Sequence, residues 1–322
     1  MVGNAMIMDE GLAKISLGRY RFILQAEETI KLPPYKGACL RGGFGITFRK
    51  ICCVNKRLKD CGFCILKEKC AYTYIFETSP PPQAQKLKKL AEIPRPFVIE
   101  PPEEKKNIYN KEEEIELNLI LIGKAREYLP YFVLTFRELG KIGLGKERGK
   151  FFLSKIYDAD GEKIYEAGSD CLKNYASSEK NGINVENYFS DYLILNFSTP
   201  TRIKFQRDLV TRPEFHILIR ALLHRLSALA YFHCGFTLEL DYNLLISQAE
   251  KIKIKKSNLN WFDWERYSTR QNTKMKLGGF VGQITYEGDF KPFLPLVALG
   301  QFTHVGKNCT FGLGKYRIVK EN

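Results

Sequence analysis

This 322-residue sequence predicts a mixed α+β fold built twice over from the order βαββαβ. Three observations carry that expectation. Strand and helix periods alternate in that order in each half. Each half places a glycine-rich loop between its last helix and its last strand. A polar stretch, residues 168–190, divides the two. The order βαββαβ is the ferredoxin-like one, shared with RRM-like domains. The expected organisation is therefore two tandem ferredoxin-like domains, 1–185 and 186–322. The first carries a cysteine-rich, metal-binding insertion at about 52–70 and the second an RNA-binding glycine-rich loop.

The elements follow in order. Residues 15–27 alternate apolar and polar around Tyr20, Phe22 and Leu24, the period of a half-buried strand. Pro33 and Pro34 punctuate, and a helix fits 36–50. Strands are predicted near 71–77 and 114–122, separated by a Pro- and Glu-rich excursion at 79–113. A helix over 124–139, a glycine-rich loop and a strand at 150–157 complete the first half. The second half opens with a strand at 191–198. A helix follows over 213–233, where Phe215, Leu218, Ile219, Leu222, Leu223, Leu226 and Leu229 keep a 3.6-residue period. Strands near 251–267 and 279–287, a short helix at 290–299, a second glycine-rich loop and a strand at 315–319 close the chain.

With 44% hydrophobic and 27% charged residues the chain has material for packed cores, which excludes disorder for its bulk. No apolar run approaches the ~18 residues of a membrane-spanning helix, and Asp9 and Glu10 directly after Met8 do not read as a secretory leader. A cytoplasmic protein with no membrane partner is the expectation. The formal charge of +14 points to a polyanionic partner. Within residues 251–276 stand Lys251, Lys253, Lys255, Lys256, Arg266, Arg270, Lys274 and Lys276 against only Asp263 and Glu265. Trp261, Phe262, Trp264 and Tyr267 are interleaved with them. Cations beside aromatics suit phosphate neutralisation with base stacking, as single-stranded RNA requires. The bland reading is a solvated strand pair whose aromatics lie in the core.

Nine cysteines do not make a disulfide scaffold here. Five of them cluster. Cys61 and Cys64 form a CxxC whose thiolates can take one edge of a tetrahedron. Cys53 and Cys70 can complete a structural zinc site, with Cys52 as a substitute for Cys53. An iron–sulfur cluster or plain reduced thiols are the other readings. No histidine stands nearby to suggest a catalytic zinc, and Cys39, Cys171, Cys234 and Cys309 are isolated and read as packed.

The two glycine-rich loops repeat one another. Leu139-Gly140-Lys141-Ile142-Gly143-Leu144-Gly145-Lys146-Glu147-Arg148-Gly149-Lys150 parallels the stretch from Leu299 and Gly300 through His304, Gly306, Lys307, Gly312, Gly314 and Lys315 to Tyr316. Successive glycines let backbone N–H groups converge on a phosphate, and the cations add charge. Neither loop is a Walker loop, and neither stands between a strand and a helix as a dinucleotide fingerprint does.

The closing loop, together with Phe197-Ser198-Thr199-Pro200, the stretch from Trp264 through Arg266, Ser268 and Arg270 to Gln271, and Gly278-Gly279-Phe280-Val281-Gly282, resembles the CRISPR precursor-RNA processing endoribonucleases of the RAMP superfamily. In the first half the resemblance rests on residues 32–48 (Gly37, Leu40-Arg41-Gly42 and Gly45), on the cysteine cluster leading to Tyr72 and Phe76, and on the first loop. It implies tandem ferredoxin-like folds and cleavage of CRISPR repeat transcripts into guide RNAs. The ribose 2′-hydroxyl beside the scissile phosphate attacks, leaving a 2′,3′-cyclic phosphate, and no catalytic metal is required. Lys146, Arg148, Lys150, Arg266, Ser268, Arg270, Gly306, Lys307, Gly312, Gly314 and Lys315 are the RNA-binding candidates. Many family members carry a catalytic histidine near the first helix, but this chain has none before His216. His216, His224 and His233 fall on or just after the 213–233 helix, where a packed or surface role is expected. His304, in the loop beside Lys307, is therefore the catalytic candidate, with Tyr35, Lys36 and Arg41 completing the site if the loop lies against the first helix. A Tyr–Lys–Arg site without histidine is also chemically workable, and the plain alternative for His304 is a loop strut. The expected partners are CRISPR repeat RNA and other CRISPR effector subunits. A non-cleaving guide-RNA-binding subunit and a zinc-bearing RNA-binding protein outside CRISPR systems are the competing functions.

Overall fold

The structure, a computed structural model, describes residues 10–58, 60–78, 93–173, 191–268 and 273–319, with backbone alone at 265–268 and 273–276. The chain forms two compact units. One contains 16–173 with 232–234, the other 10–15, 191–231 and 235–319.

In the first unit, β1 (Leu17–Ala26) turns Tyr20, Phe22 and Leu24 inward, as the alternation predicts. After it come β2 (Ile30–Lys31), α1 (Gly37–Cys52), α2 (Ala71–Phe76), β3 (Phe97–Glu100), β4 (Ile108–Tyr109), β5 (Glu114–Ile122), α3 (Leu129–Ile142), β6 (Phe151–Tyr157) and β7 (Lys163–Glu166). The sheet order is β3-β5-β1-β6-β7, with all pairs antiparallel, and β2 pairs β4 in a separate ribbon. Omitting β7, that is the ferredoxin-like order, with α1 and α3 packed together as its two helices. Phe44 of α1 is the hub of the core. Its ring stacks on Phe132 at 4.7 Å and on Phe48 at 5.2 Å, and meets Phe136 at 5.7 Å and Phe97 at 5.9 Å.

The second inner strand is not at 71–77. That segment is α2, and β3 lies inside the proline-rich excursion instead. Its aromatic and β-branched residues read as a strand, but helical spacing brings Tyr72 and Phe76 into a stacked pair 5.4 Å apart. Phe97, Val98, Ile99 and Glu100 are buried on both faces, so they show no alternation, and prolines on both sides hid them.

In the second unit the elements are β8 (Tyr192–Thr201), β9 (Lys204–Phe205), β10 (Asp208–Leu209), α4 (Phe215–Leu229), α5 (Tyr242–Ala249), β11 (Lys253–Phe262), β12 (Glu265–Ser268), β13 (Thr273–Lys276), β14 (Gly279–Glu287), α6 (Leu294–Thr303) and β15 (Tyr316–Val319). The main sheet runs β11-β14-β8-β15, again the antiparallel ferredoxin-like order, while β9–β10 and β12–β13 form ribbons. The apolar stripe of α4 is buried along its length. The sequence reading passed over α5, although Asp241 marks its start by accepting the Leu244 N–H at 2.9 Å. No described helix is long and apolar enough to cross a membrane.

Replacing Phe44 with Ala is expected to destabilise the first unit by ~3–5 kcal/mol, the range for deleting a buried aromatic. Urea unfolding followed by near-UV circular dichroism checks this, and a loss below ~1 kcal/mol would show that the cluster repacks.

Candidate nucleic-acid interface

The closing loop of the second unit begins where α6 ends. His304 leaves the helix with φ +62°, in the left-handed region, which turns its imidazole inward. The ring is 0% exposed, and its Nδ1–H donates to the Leu313 carbonyl at 3.0 Å. Behind the same turn Arg225 of α4 donates from Nε to the Thr303 carbonyl at 2.8 Å. Thr199 of β8 holds the far side, donating to the Gly312 carbonyl at 2.8 Å and accepting from the Lys315 N–H at 2.9 Å. Gly314 has φ +77°, and a Cβ there would run into the Val305 carbonyl, so only glycine fits.

This geometry corrects two expectations. First, several of the loop's N–H groups are committed within the protein. Val305 donates to Gly314, Lys307 to Arg202, Phe311 to Asn308, Gly312 to Cys309 and Gly314 to Pro200. The glycines serve close backbone packing here rather than an open phosphate nest. Second, the histidine that the sequence placed where RNA was expected is inaccessible as the loop stands. Of the other RNA-binding candidates in this loop, Lys307 is exposed and Gly306 half-buried, whereas Gly312, Gly314 and Lys315 are buried. The loop carries no acidic residue from 303 to 316.

The first unit's loop is built differently. Leu144 and Gly149 bridge to close it as a hairpin, with Arg148 at φ +58°. Lys146, Arg148 and Lys150 are exposed, but Glu28 lies 3.4 Å from Lys150, and Glu147 within the loop pairs with Lys31 at 3.0 Å. Exposed pairs of this kind add little stability, yet each carboxylate offsets positive charge that an anion would otherwise meet.

A third cationic element is β11, an edge strand of the second unit's sheet. Trp261 and Phe262 at its end are 36% and 46% exposed, so these aromatics are not the core residues of the bland reading. The Trp261 Nε1–H donates to Asp263 at 2.9 Å, which fixes the indole. Lys255 lies 3.3 Å from the centre of the Tyr192 ring. Arg266 and Ser268 belong to β12, their backbones opposite Met275 and Thr273. The side chains of both, and Arg270 altogether, lie outside the described residues.

Tyr35, Lys36 and Arg41 stand at and in the start of α1. Tyr35 is half-buried. Lys36 is 2% exposed, its Nζ donating to the Glu104 carbonyl at 2.7 Å. Burial lowers its pKa, and the Glu104 charge opposes that in part. Arg41 lays its guanidinium over the Phe76 ring at 4.0 Å. Lys36 and Arg41 are thus engaged in holding the first unit together.

The tetrathiolate expected from Cys53, Cys61, Cys64 and Cys70 is not assembled. Among the described residues no group of three or more His, Cys, Asp or Glu side chains is placed to hold a metal ion. The Cys53 thiol donates to the Asn55 carbonyl at 3.4 Å, while Cys52, Cys61 and Cys70 pack against the apolar core. Burial raises the Cys61 thiol and, joined by the nearby Cys70 and Cys53 thiols, pushes Cys52 up to about 12. Neither a zinc nor a cluster role follows from this arrangement.

Tandem ferredoxin-like units, with a glycine-rich crossover in each and a cationic edge strand with exposed aromatics, define a protein with a RAMP-type fold. Known proteins share these features. Residues 15–178, about half of the chain, match the family model AF_1859_N, an N-terminal domain, and the chain belongs to that family. Residues 195–316 match the model of the CRISPR-associated endoribonuclease Cas6, which makes this a Cas6-like protein. An uncharacterized protein of Archaeoglobus fulgidus is 25% identical over 300 residues, covering 89% of this chain and 92% of that protein. Among solved structures, a Cas6 product complex is 16% identical with a TM-score of 0.55, covering 94% of this chain and 100% of that one. Thermus thermophilus Cas6 is 14% identical with a TM-score of 0.53, covering 95% and 99%.

Two substitutions test the loop's frame. Thr199→Val keeps shape but strands the Gly312 carbonyl and the Lys315 N–H, and should cost ~1–3 kcal/mol in the second unit. His304→Ala should loosen the loop, lowering thermal stability and repeat-RNA affinity together. A variant that binds RNA normally, melts normally and only cleaves slowly would restore His304 to the chemistry.

Proposed function

We propose that this chain is an endoribonuclease that cuts CRISPR repeat transcripts into guide RNAs. The observation that carries the proposal is that the Cas6 match coincides with the unit bearing the acid-free cationic loop and the exposed Trp261–Phe262 edge. In the reaction the 2′-oxygen bonds to the adjacent phosphorus, the bond to the 5′-oxygen breaks, and a 2′,3′-cyclic phosphate and a 5′-hydroxyl result. The nucleophile comes from the substrate itself. The protein must take up the 2′-hydroxyl proton, stabilise charge on the non-bridging oxygens and allow protonation of the leaving oxygen. In this reading the exposed Lys307 meets a phosphate, and the exposed cations and aromatics of β11 hold the flanking strand. His304 serves this function as a strut of the loop.

The burial of His304 favours one competing function, a non-cleaving RAMP subunit that holds guide RNA beside other CRISPR effector subunits. Incubating the protein with an end-labelled CRISPR repeat in EDTA separates the two. Site-specific cleavage with a cyclic-phosphate end supports the enzyme, and tight binding without cleavage supports the subunit. No preference for repeat RNA over an unrelated strand would defeat both.

Trp261→Ala is expected to weaken repeat binding by ~1–3 kcal/mol, the loss of one stacked base. Its salt dependence should stay unchanged. Lys307→Ala should instead make the log–log salt dependence shallower by about 0.7 for each phosphate that the side chain no longer neutralises. Filter-binding titrations at several salt concentrations check both.

A further inference from the structure

The four histidines of this chain are not equivalent. His304 is buried against Leu313. His233 is 3% exposed, its Nε2–H donating to the Pro94 carbonyl at 2.8 Å and its Nδ1 lying 3.3 Å from the Tyr74 hydroxyl. His216 has a side chain only 14% exposed, 3.4 Å from Glu214 and edge-on to Phe205. His224 alone is exposed.

Its place in the fold is informative. His224 lies off the apolar stripe of α4, next to Arg225, which bonds the carbonyl of Thr303 at the root of the closing loop. That bond fixes this turn of α4 against the root of the loop, whose exposed cation is Lys307. We infer, resting on the endoribonuclease reading, that His224 takes the proton of the attacking ribose 2′-hydroxyl while Lys307 of the adjoining loop holds a non-bridging oxygen of the scissile phosphate.

The step balances within the RNA and solvent. The 2′-O–H bond breaks as the 2′-O–P bond forms, and the proton passes to the imidazole. The P–O5′ bond breaks, and the departing oxygen is protonated from solvent. The imidazolium then returns its proton to solvent, so the side chain ends neutral, as it began.

The electrostatic setting suits a base. Partial desolvation, and then the Lys307 charge, lower the His224 pKa below its ordinary value of 6.5. Other groups around it do little to reverse this. Arg225 and Arg220 on the same helix are cationic, α6 carries no titratable side chain, and α5 offers only Tyr242, which is bonded to Ser227. On the loop, Cys309 is buried with its thiol raised by that burial. The neutral, proton-accepting form therefore prevails at pH 7. Cleavage should therefore lose rate on the acidic side, at a lower pH than an ordinary imidazole would impose.

Single-turnover cleavage of a labelled CRISPR repeat across pH 4.5–8, with affinity measured in parallel on a repeat 2′-deoxy at the cleavage site, tests the assignment. His224→Gln should cleave ~10²–10⁴-fold more slowly and lose the acidic limb, with affinity within about threefold of wild type. His216→Gln should behave as wild type. His224 is exposed, so the variant should fold, and circular dichroism with His224→Asn as a second substitution checks that. Wild-type cleavage by both His224 variants would overturn the inference while leaving the endoribonuclease reading intact. A fall in rate that merely matches a fall in affinity would also overturn it, making His224 a binding residue. A wild-type protein that binds the repeat but never cuts it would end the endoribonuclease reading, and the inference with it.

Discussion

A buried backbone N–H or C=O must find a partner or cost free energy comparable to a missing hydrogen bond. That constraint shapes the glycine-rich loop that closes the second unit. The chain from α6 to β15 doubles back through a glycine-rich stretch whose polar groups are mostly inside. Three residues at the end of β8 and just beyond it supply partners. The Thr199 hydroxyl bridges the Gly312 carbonyl and the Lys315 N–H, and the Pro200 and Arg202 carbonyls accept from Gly314 and Lys307. The loop is in effect an extension of the sheet. Its exposed cation is the Lys307 side chain.

The two units share a topology and differ in electrostatics. In the first, Glu28 and Glu147 are interspersed with the loop's cations, and the unit is organised about an aromatic hub at Phe44. In the second, the loop has no carboxylate, and the edge strand β11 leaves its lysines, Trp261 and Phe262 outside. A positive field that is not locally cancelled draws a polyanion, and an exposed indole gives a base something to stack on. The first unit thus balances its loop cations with carboxylates, whereas the loop of the second has none to offset Lys307.

Where the sequence could be read, the reason was local. The alternation in β1 and the 3.6-residue stripe of α4 are properties of neighbouring residues, and both appear in the structure as expected. The segment at 71–77 misled because Tyr72 and Phe76 satisfy either a strand composition or a helical i,i+4 stack. Only packing against α1 decides between them. The cysteines misled in the same way. A CxxC spacing permits a tetrahedral edge, but whether four sulfurs converge depends on where the apolar core draws Cys52, Cys61 and Cys70.

The order βαββαβ, twice, and the motifs that relate the chain to RNA-processing proteins were determined by sequence alone, because periodicity, glycine placement and charge are set within a few residues. Which polar groups remain available for chemistry was decided only by tertiary structure. The bond that fixes α4 against the closing loop joins residues 78 positions apart, and the one that anchors the loop to β8 joins residues 116 apart. His304 sits in the motif and faces inward; His224 sits on an ordinary helix and is exposed. Accessibility and local field depend on contacts across those separations, and no local pattern in the chain encodes them.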